Sequence, residues 1–315
     1  MILCVAGNPS ADKLFEVERI ELGTTHRPEH FVQVPGGKAL NVARAAGALG
    51  QAVVVAAIFG GHVGRWLDEE LEREGIERRV VWSAGESRSS LSVSDRETGH
   101  LTEFYEAGTP VTPEEWAALE ATVAELLPRA TWIAVTGSLP VGAPEDAYAR
   151  LVGLARERGV RSALDAQGPA LANSVNEHPD LVKINAQETE ELLGERVAGV
   201  DDAHRAALQI RERAGGEGHA VVVTIGAEGA VLVEPDGTAA HGRLPAKGRY
   251  PVGSGDSFLA GLICGLERGS TWQGAMGLAL GTAAANAEIP GAGCLDPERA
   301  ASLAAANPGH VPLSG

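Results

Sequence analysis

Cysteine is scarce in this chain. The three that occur, Cys4, Cys264 and Cys294, lie far apart and form no Cys-x-x-Cys pair, which argues for a reducing compartment and against a structural zinc. Positive charge is short as well: 26 Lys and Arg stand against 42 Asp and Glu, a formal net charge of −16. That balance argues against nucleic acid or an anionic membrane surface as a general partner, and any bound anion must be met by local cations. No long apolar run opens the chain. Residues 2–7 are apolar, but Asn8-Pro9 follows at once and no basic segment precedes. Neither a signal peptide nor a membrane span is therefore expected, and a cytoplasmic protein is. The nine histidines contain no His-Glu-x-x-His, so no transition-metal site is expected. No Gly-x-x-x-x-Gly-Lys-Ser/Thr occurs. Ser138 sits in Thr-Gly-Ser-Leu-Pro and not in Gly-x-Ser-x-Gly, which removes support for an elbow-type hydrolase.

What is present is a chain of 315 residues with 40 Gly and 17 Pro, enough for one large α/β domain over residues 1–315. Residues 2–6 and 52–59 read as buried strands, and residues 38–49 and 64–74 as helices ended by glycine. Two stretches, about 14–34 and 87–106, alternate apolar and polar residues. This is the period of half-exposed strands, and together they suggest a small sheet outside the main fold. From Thr112-Pro113-Glu114-Glu115, a capping box with proline at the first helical position, the rhythm becomes regular. Strands near 132–136, 161–165, 181–184 and 220–225 alternate with helices near 144–158, 186–193 and 202–214. A strand pair over 229–243 and helices from about 255, 271 and 296 complete the chain, and the residues from Asn307 are expected to fray. Strands alternating with helices imply a mostly parallel sheet with helices on both faces.

In such a sheet, ligands sit beyond the carboxyl ends of the strands. The residues there are polar or glycine: Asn8 and Asp12, Gly137-Ser138-Leu139-Pro140, Asp165, Asn185 with Glu188, then Thr224, Gly226 and Gly229. Two glycine loops open helices. Gly253-Ser254-Gly255-Asp256 precedes an apolar helical pattern, so its free amides suit an anion. Asp256 is then either a helix cap or an acceptor for the proton of a hydroxyl that attacks phosphate. Gly36-Gly37-Lys38 is a second such loop with a cation, or an ordinary tight turn. Asn185 and Glu188, at i and i+3, could hold magnesium-bound waters, and they fit a capping box equally well. Gly60-Gly61-His62-Val63-Gly64 is the one feature pointing to a dinucleotide oxidoreductase, and it lacks the Gly-x-Gly-x-x-Gly spacing.

Taken together, these motifs resemble the ribokinase-like carbohydrate kinases, the phosphofructokinase-B group. Gly36-Gly37-Lys38-Ala39-Leu40-Asn41-Val42-Ala43 is similar to the family's N-terminal signature, and Gly253-Ser254-Gly255-Asp256-Ser257-Phe258 to its C-terminal one. Asn8-Pro9 with Asp12, Thr136-Gly137-Ser138-Leu139-Pro140, Lys183-Ile184-Asn185 with Glu188, and Thr224-Ile225-Gly226 with Gly229 stand between them in the family's order. The resemblance implies a three-layer α/β/α sandwich with a small β-sheet lid, and ATP-dependent, Mg2+-assisted phosphorylation of a sugar hydroxyl. Asp256 would be the base, and the amides of Gly253, Ser254, Gly255 and Asp256 the anion hole. Asp12, Gly36, Gly37, Lys38, Asn41, Arg88 and Ser138 would face the sugar. Lys183, Asn185, Glu188, Thr224, Gly226, Gly229 and Asn286 would face the nucleotide, with Mg2+ near Asn185 and Glu188.

Lys38 and Arg88, both expected near the lid, suit a sugar phosphate, and the pattern is most similar to the 1-phosphofructokinase and tagatose-6-phosphate kinase branches. Ala39 stands where those branches carry glycine and would be strained if φ were positive there. A helix N-terminus lowers a carboxylate's pKa, so Asp256 is expected to be a weak base. The alternatives are a kinase of an unphosphorylated sugar or nucleoside, and an inactive sugar- or nucleotide-binding regulator. The partners expected are a sugar phosphate and ATP, with no nucleic acid and no membrane, and the exposed edge of the lid invites a homodimer.

Overall fold

Residues 2–6 carry no polar side chain, and the computed structural model explains why. Ile2–Ala6 (β1) lies within the interior of a ten-stranded sheet, with Ile2 and Cys4 packed into the core on one face and Leu3 and Val5 into the core on the other. The structure describes residues 1–28, 30–244, 248–306 and 310–313.

The chain leaves the large sheet after β1 and builds Ser10–Val17 (β2) and His30–Gly36 (β3) in a second sheet. It returns through Lys38–Ala48 (α1), Val53–Gly60 (β4), Gly61–Arg73 (α2) and Glu77–Ser83 (β5). A second excursion gives Arg88–Asp95 (β6) and Leu101–Tyr105 (β7). The regular part follows: Pro113–Leu126 (α3), Trp132–Thr136 (β8), Ala147–Glu157 (α4), Arg161–Asp165 (β9) and Gly168–Val175 (α5). Then come Leu181–Asn185 (β10), Ala186–Leu193 (α6), Val200–Arg213 (α7) and Ala220–Thr224 (β11). Ala230–Val233 (β12), Ala239–Gly242 (β13), Ser254–Glu267 (α8), Trp272–Glu288 (α9), Pro297–Ala306 (α10) and His310–Leu313 (β14) complete the chain.

The large sheet runs β14-β13-β12-β11-β10-β9-β8-β1-β4-β5, parallel from β5 to β11 and antiparallel beyond. One core holds α1, α2, α8, α9 and α10 against one face, and the other holds α3, α4, α5 and α7 against the opposite face. This is the expected three-layer α/β arrangement. The capping box at Thr112 and Glu115 forms as its spacing implies. Two elements, β5 and α5, occupy stretches to which the sequence pattern assigns nothing. The residues 310–313 pair with β13 instead of fraying, whereas 307–309 lie outside the described residues.

The two alternating stretches form one four-stranded sheet in the order β3-β2-β6-β7. Its β2–β6 contact is parallel, which neither hairpin-like stretch reveals. Gly36 pairs with Ser10 at the root of this sheet. The chain then turns through Gly37, at φ 91°, into α1. A side chain there would be strained by the backbone and would lie 3.2 Å from the Pro9 Cα.

Candidate active site

The carboxyl ends of the parallel strands and the smaller sheet enclose a cleft of about 1120 Å³. Of the residues expected to act, all but Glu188 and Asn286 line it.

At one side of the cleft the turn before α8 is formed by Gly253, at φ 79°, where a Cβ would lie 2.7 Å from the Cα of Ala292. No side chain caps α8. Asp256 is therefore not a cap: its carboxylate accepts from Asn41 Nδ2 at 2.8 Å. The amides of Gly255 and Asp256 have no protein acceptor among the described residues, as expected of a first helical turn left open toward the cleft. Among the described residues, Asn41 Oδ1 is buried without a partner, and so is Thr136 Oγ1 at the end of β8.

Behind Asp256 lies a cluster of charges. Asp165, fully buried, accepts from Lys38 Nζ at 2.7 Å and from Lys183 Nζ at 2.5 Å. Lys38 also reaches Glu188 at 2.7 Å. Burial opposes ionisation of Asp165, but Lys183 and Lys38 hold its carboxyl below the usual range. Burial likewise opposes the Lys38 ammonium, and Asp165, Glu188 and Asp256 together raise its pKa well above the ordinary lysine value. Three carboxylates thus share two ammonium groups, and Asp256 is the one left short. Burial and then Asp165 push its carboxyl up to about 6, against the pull of Lys38, Lys183 and the Asn41 hydrogen bond. The weak base expected from the helix N-terminus is corrected here, because desolvation outweighs the helix dipole.

On the opposite side, Asp12 accepts from Ser10 Oγ and Ser90 Oγ, both at 2.5 Å. Its carboxylate lies where a Cβ on Gly36 would stand, 1.9 Å away, so any side chain there would displace Asp12. Asn8 Nδ2 donates to Ser138 Oγ at 3.0 Å, and Arg88 donates to the Asn8 carbonyl at 3.3 and 3.4 Å. Arg88 forms no ion pair among the described residues. Lys38, by contrast, is ion-paired. Its side chain packs over Gly137 and reaches Asp165 at the end of β9 and Glu188 in the first turn of α6, so one of the two expected lid cations is already ion-paired within the protein, although it still lines the cleft. Ala39 lies inside α1 without a positive φ, and the anticipated strain is absent.

The nucleotide-side expectations divide. Thr224, Gly226 and Gly229 line the cleft at the end of β11, where Gly229 takes φ 93° and a Cβ would fall 2.0 Å from the Gly242 carbonyl oxygen. Lys183 lines it too. Asn185 and Glu188 form the capping box of α6, with Glu188 N to Asn185 Oδ1 and Asn185 N to Glu188 Oε2 both at 2.9 Å. Glu188 is buried behind Lys38. Asn286 is fully buried and faces the protein: it accepts from Ser257 Oγ and Gly293 N and donates to the Val252 carbonyl. It braces the Gly253 turn, and its amide has nothing left to offer a nucleotide. Asp165 is the residue to which sequence reasoning assigned no role. Its place at a strand end was visible, but its partners are 18 and 127 residues away.

Comparison with known proteins places this geometry among relatives. The model of the pfkB family carbohydrate kinases matches residues 4–299. The chain is 29% identical to the tagatose-6-phosphate kinase of Staphylococcus epidermidis over 268 residues, 84% of this chain and 85% of that one. Phosphofructokinase-2 from Escherichia coli, solved in complex with substrates and products, superposes with a TM-score of 0.88 at 25% identity, covering 97% of this chain and 98% of the other. Arabidopsis thaliana ribokinase, solved with ribose and ATP, shares the fold at 16% identity, with a TM-score of 0.75 over 96% of this chain and 98% of the other.

Proposed function

The chain belongs to the pfkB family of carbohydrate kinases, and from that premise we propose that it transfers the γ-phosphoryl group of ATP to a hydroxyl of a sugar phosphate of the tagatose 6-phosphate or fructose phosphate type. The observation that carries the reading is the buried Asp256–Asn41 pair set at the open first turn of α8, beside Lys183 and Lys38. Asp256 accepts the hydroxyl proton as the sugar oxygen attacks the γ-phosphorus and the bond to the bridging oxygen of ADP breaks. Transfer of this kind needs positioning and charge stabilisation more than a strong base. The unpaired Asn41 Oδ1 suits a sugar hydroxyl, and Asp12 suits another. The free amides of Gly255 and Asp256 face the phosphoryl group in flight.

Magnesium fits the donor chemistry only at arm's length. Both oxygens of Glu188 and the Asn185 oxygen are engaged within the protein, and no group of three His, Cys, Asp or Glu side chains suits a metal among the described residues. Asn185 and Glu188 would hold the ion through water, and it would supply neutralising charge to the nucleotide phosphates.

Arg88 supports a substrate that already carries phosphate, since a guanidinium without a carboxylate partner at the edge of a cleft suits a dianion. The pairing of Lys38 with Asp165 and Glu188 leaves less of its charge for a phosphate and favours the second reading, an unphosphorylated sugar or nucleoside. No helix among the described residues is long and apolar enough to cross a membrane; the scarce, dispersed cysteines support a reducing compartment, the cytoplasm. The edge strands β3 and β7 keep Phe31 and Phe104 exposed, in keeping with a homodimer through the smaller sheet, which serves as the lid. Coupled ADP release over fructose 1-phosphate, fructose 6-phosphate and tagatose 6-phosphate, with ribose and adenosine as controls, tests the reading. Turnover of a phosphosugar is expected. Turnover of ribose or adenosine alone transfers the assignment to the second reading, and no turnover with any of them overturns both.

A further inference from the structure

Ser10, Asp12, Leu14 and Glu16 alternate along β2 and so share one side of the strand, on which Ser10 and Asp12 line the cleft. The Glu16 side chain is only 10% exposed. A carboxylate so enclosed needs partners, and it finds them across the gap to the large domain. Tyr250 Oη donates to Glu16 Oε1 at 3.0 Å, and Arg249 stands 3.7 Å from the same oxygen. The arginine is two-thirds exposed, so the tyrosine hydroxyl is the stronger tie.

Tyr250 is itself anchored to the body of the protein. Its amide donates to the Ala287 carbonyl at 3.0 Å, and Gly248 packs so closely that a Cβ would lie 2.1 Å from the Ala287 Cβ. Two residues on, the Val252 carbonyl accepts from Asn286, and Gly253 begins the turn that carries Asp256. A continuous path of contacts therefore runs from the smaller sheet to the open turn of α8.

We infer that Tyr250 and Glu16 form a clasp that seats the smaller sheet over the cleft and ties that seat to residues 253–256. Tyr250 is then a positioning residue that favours transfer to sugar over transfer to water. The catalytic arm of this inference rests on the kinase reading above; the structural arm does not.

Tyr250→Phe keeps the ring and deletes the hydroxyl, while Glu16→Gln keeps an acceptor. For Tyr250→Phe the KM of the accepted sugar phosphate should rise about 3- to 10-fold, as loss of one hydrogen bond allows. Its kcat should fall by less, and ADP released per sugar phosphorylated should increase. Glu16→Gln should remain nearer the parent enzyme. Hydrogen exchange on the full chain without ligand should be several-fold faster at residues 10–17 in Tyr250→Phe, with β8 to β11 unchanged. Exchange equal to the parent at residues 10–17 overturns the clasp. Faster exchange with an unchanged KM and ADP ratio overturns its role in transfer. If the parent chain phosphorylates none of the sugars, the kinase reading fails, and exchange alone still decides the clasp.

Discussion

Asn41 donates to the carboxylate of Asp256 at 2.8 Å although 215 residues separate them, and the other end of its amide is buried with no partner among the described residues. On the proposed mechanism, this one side chain would aim the base and leave an acceptor for the group that the base deprotonates. Asn41→Ala should lower kcat by about 10- to 100-fold, the range for a hydrogen bond to a charged group. Because that bond pulls the Asp256 pKa down, its loss should also move the acid limb of the pH–rate profile upward. An unchanged profile in Asn41→Ala would detach the asparagine from the base.

If Asp256 is the base as proposed, its carboxyl, pushed up to about 6, sets the acid limb: activity should fall as pH drops below about 6, where the carboxylate is protonated. Asp256→Asn should cost about 10²- to 10⁴-fold in kcat, the usual contribution of a positioned base. Stability should respond in the opposite sense. The raised pKa means that the folded chain holds this proton more tightly than the unfolded one, whose carboxyl lies near 3.8. Ionisation therefore weakens the fold as pH rises through this window. Asp256→Asn should melt at a higher temperature than the parent above pH 6, and the gap should close toward pH 4. Thermal melts across this range check the sign.

Arg88→Ala should raise KM for a phosphosugar by at least about 10-fold, since a charge-assisted contact is lost. KM for the corresponding unphosphorylated sugar should barely move. Steady-state kinetics on such a pair measure the difference, and equal changes for both would remove the guanidinium from substrate phosphate recognition.

Lys38→Met leaves Glu188 and part of Asp165 uncompensated in the interior. The loss should be on the order of 3 kcal/mol, as for breaking one partner out of a buried pair. Denaturant unfolding measures it. The same variant should raise the pKa of Asp256 further, because Lys38 opposes its upward shift.

Much of this was legible in the chain itself. Continuous apolar runs such as residues 2–6 mark buried parallel strands, and the alternation at 14–34 and 87–106 marks a sheet with one open face. Gly37 and Gly253 could be read as turns that open helices. The direction of Lys38 could not, because it is set by Asp165 and Glu188, 127 and 150 residues away. Asn286 shows the converse: a polar residue near a phosphate-type loop looks like a ligand contact until its hydrogen bonds are seen to end inside the protein. The strand β5 escaped because its charged residues, Glu77, Arg78 and Arg79, suit the edge of the sheet that it occupies.

The division of the cleft between two sheets has a consequence for how such an enzyme can diverge. Asp12 and Arg88 belong to the smaller sheet, whereas Asp256, Lys183 and Asp165 belong to the larger sheet and the helices on it. On the proposed roles, the acceptor contacts of the smaller sheet could therefore change while Asn41 and the proposed phosphoryl-transfer residues are left intact. Grafting residues 10–36 and 88–105 from a relative of different appetite would exchange the menu and keep the kitchen, provided that the graft retains a carboxylate where Glu16 meets Tyr250.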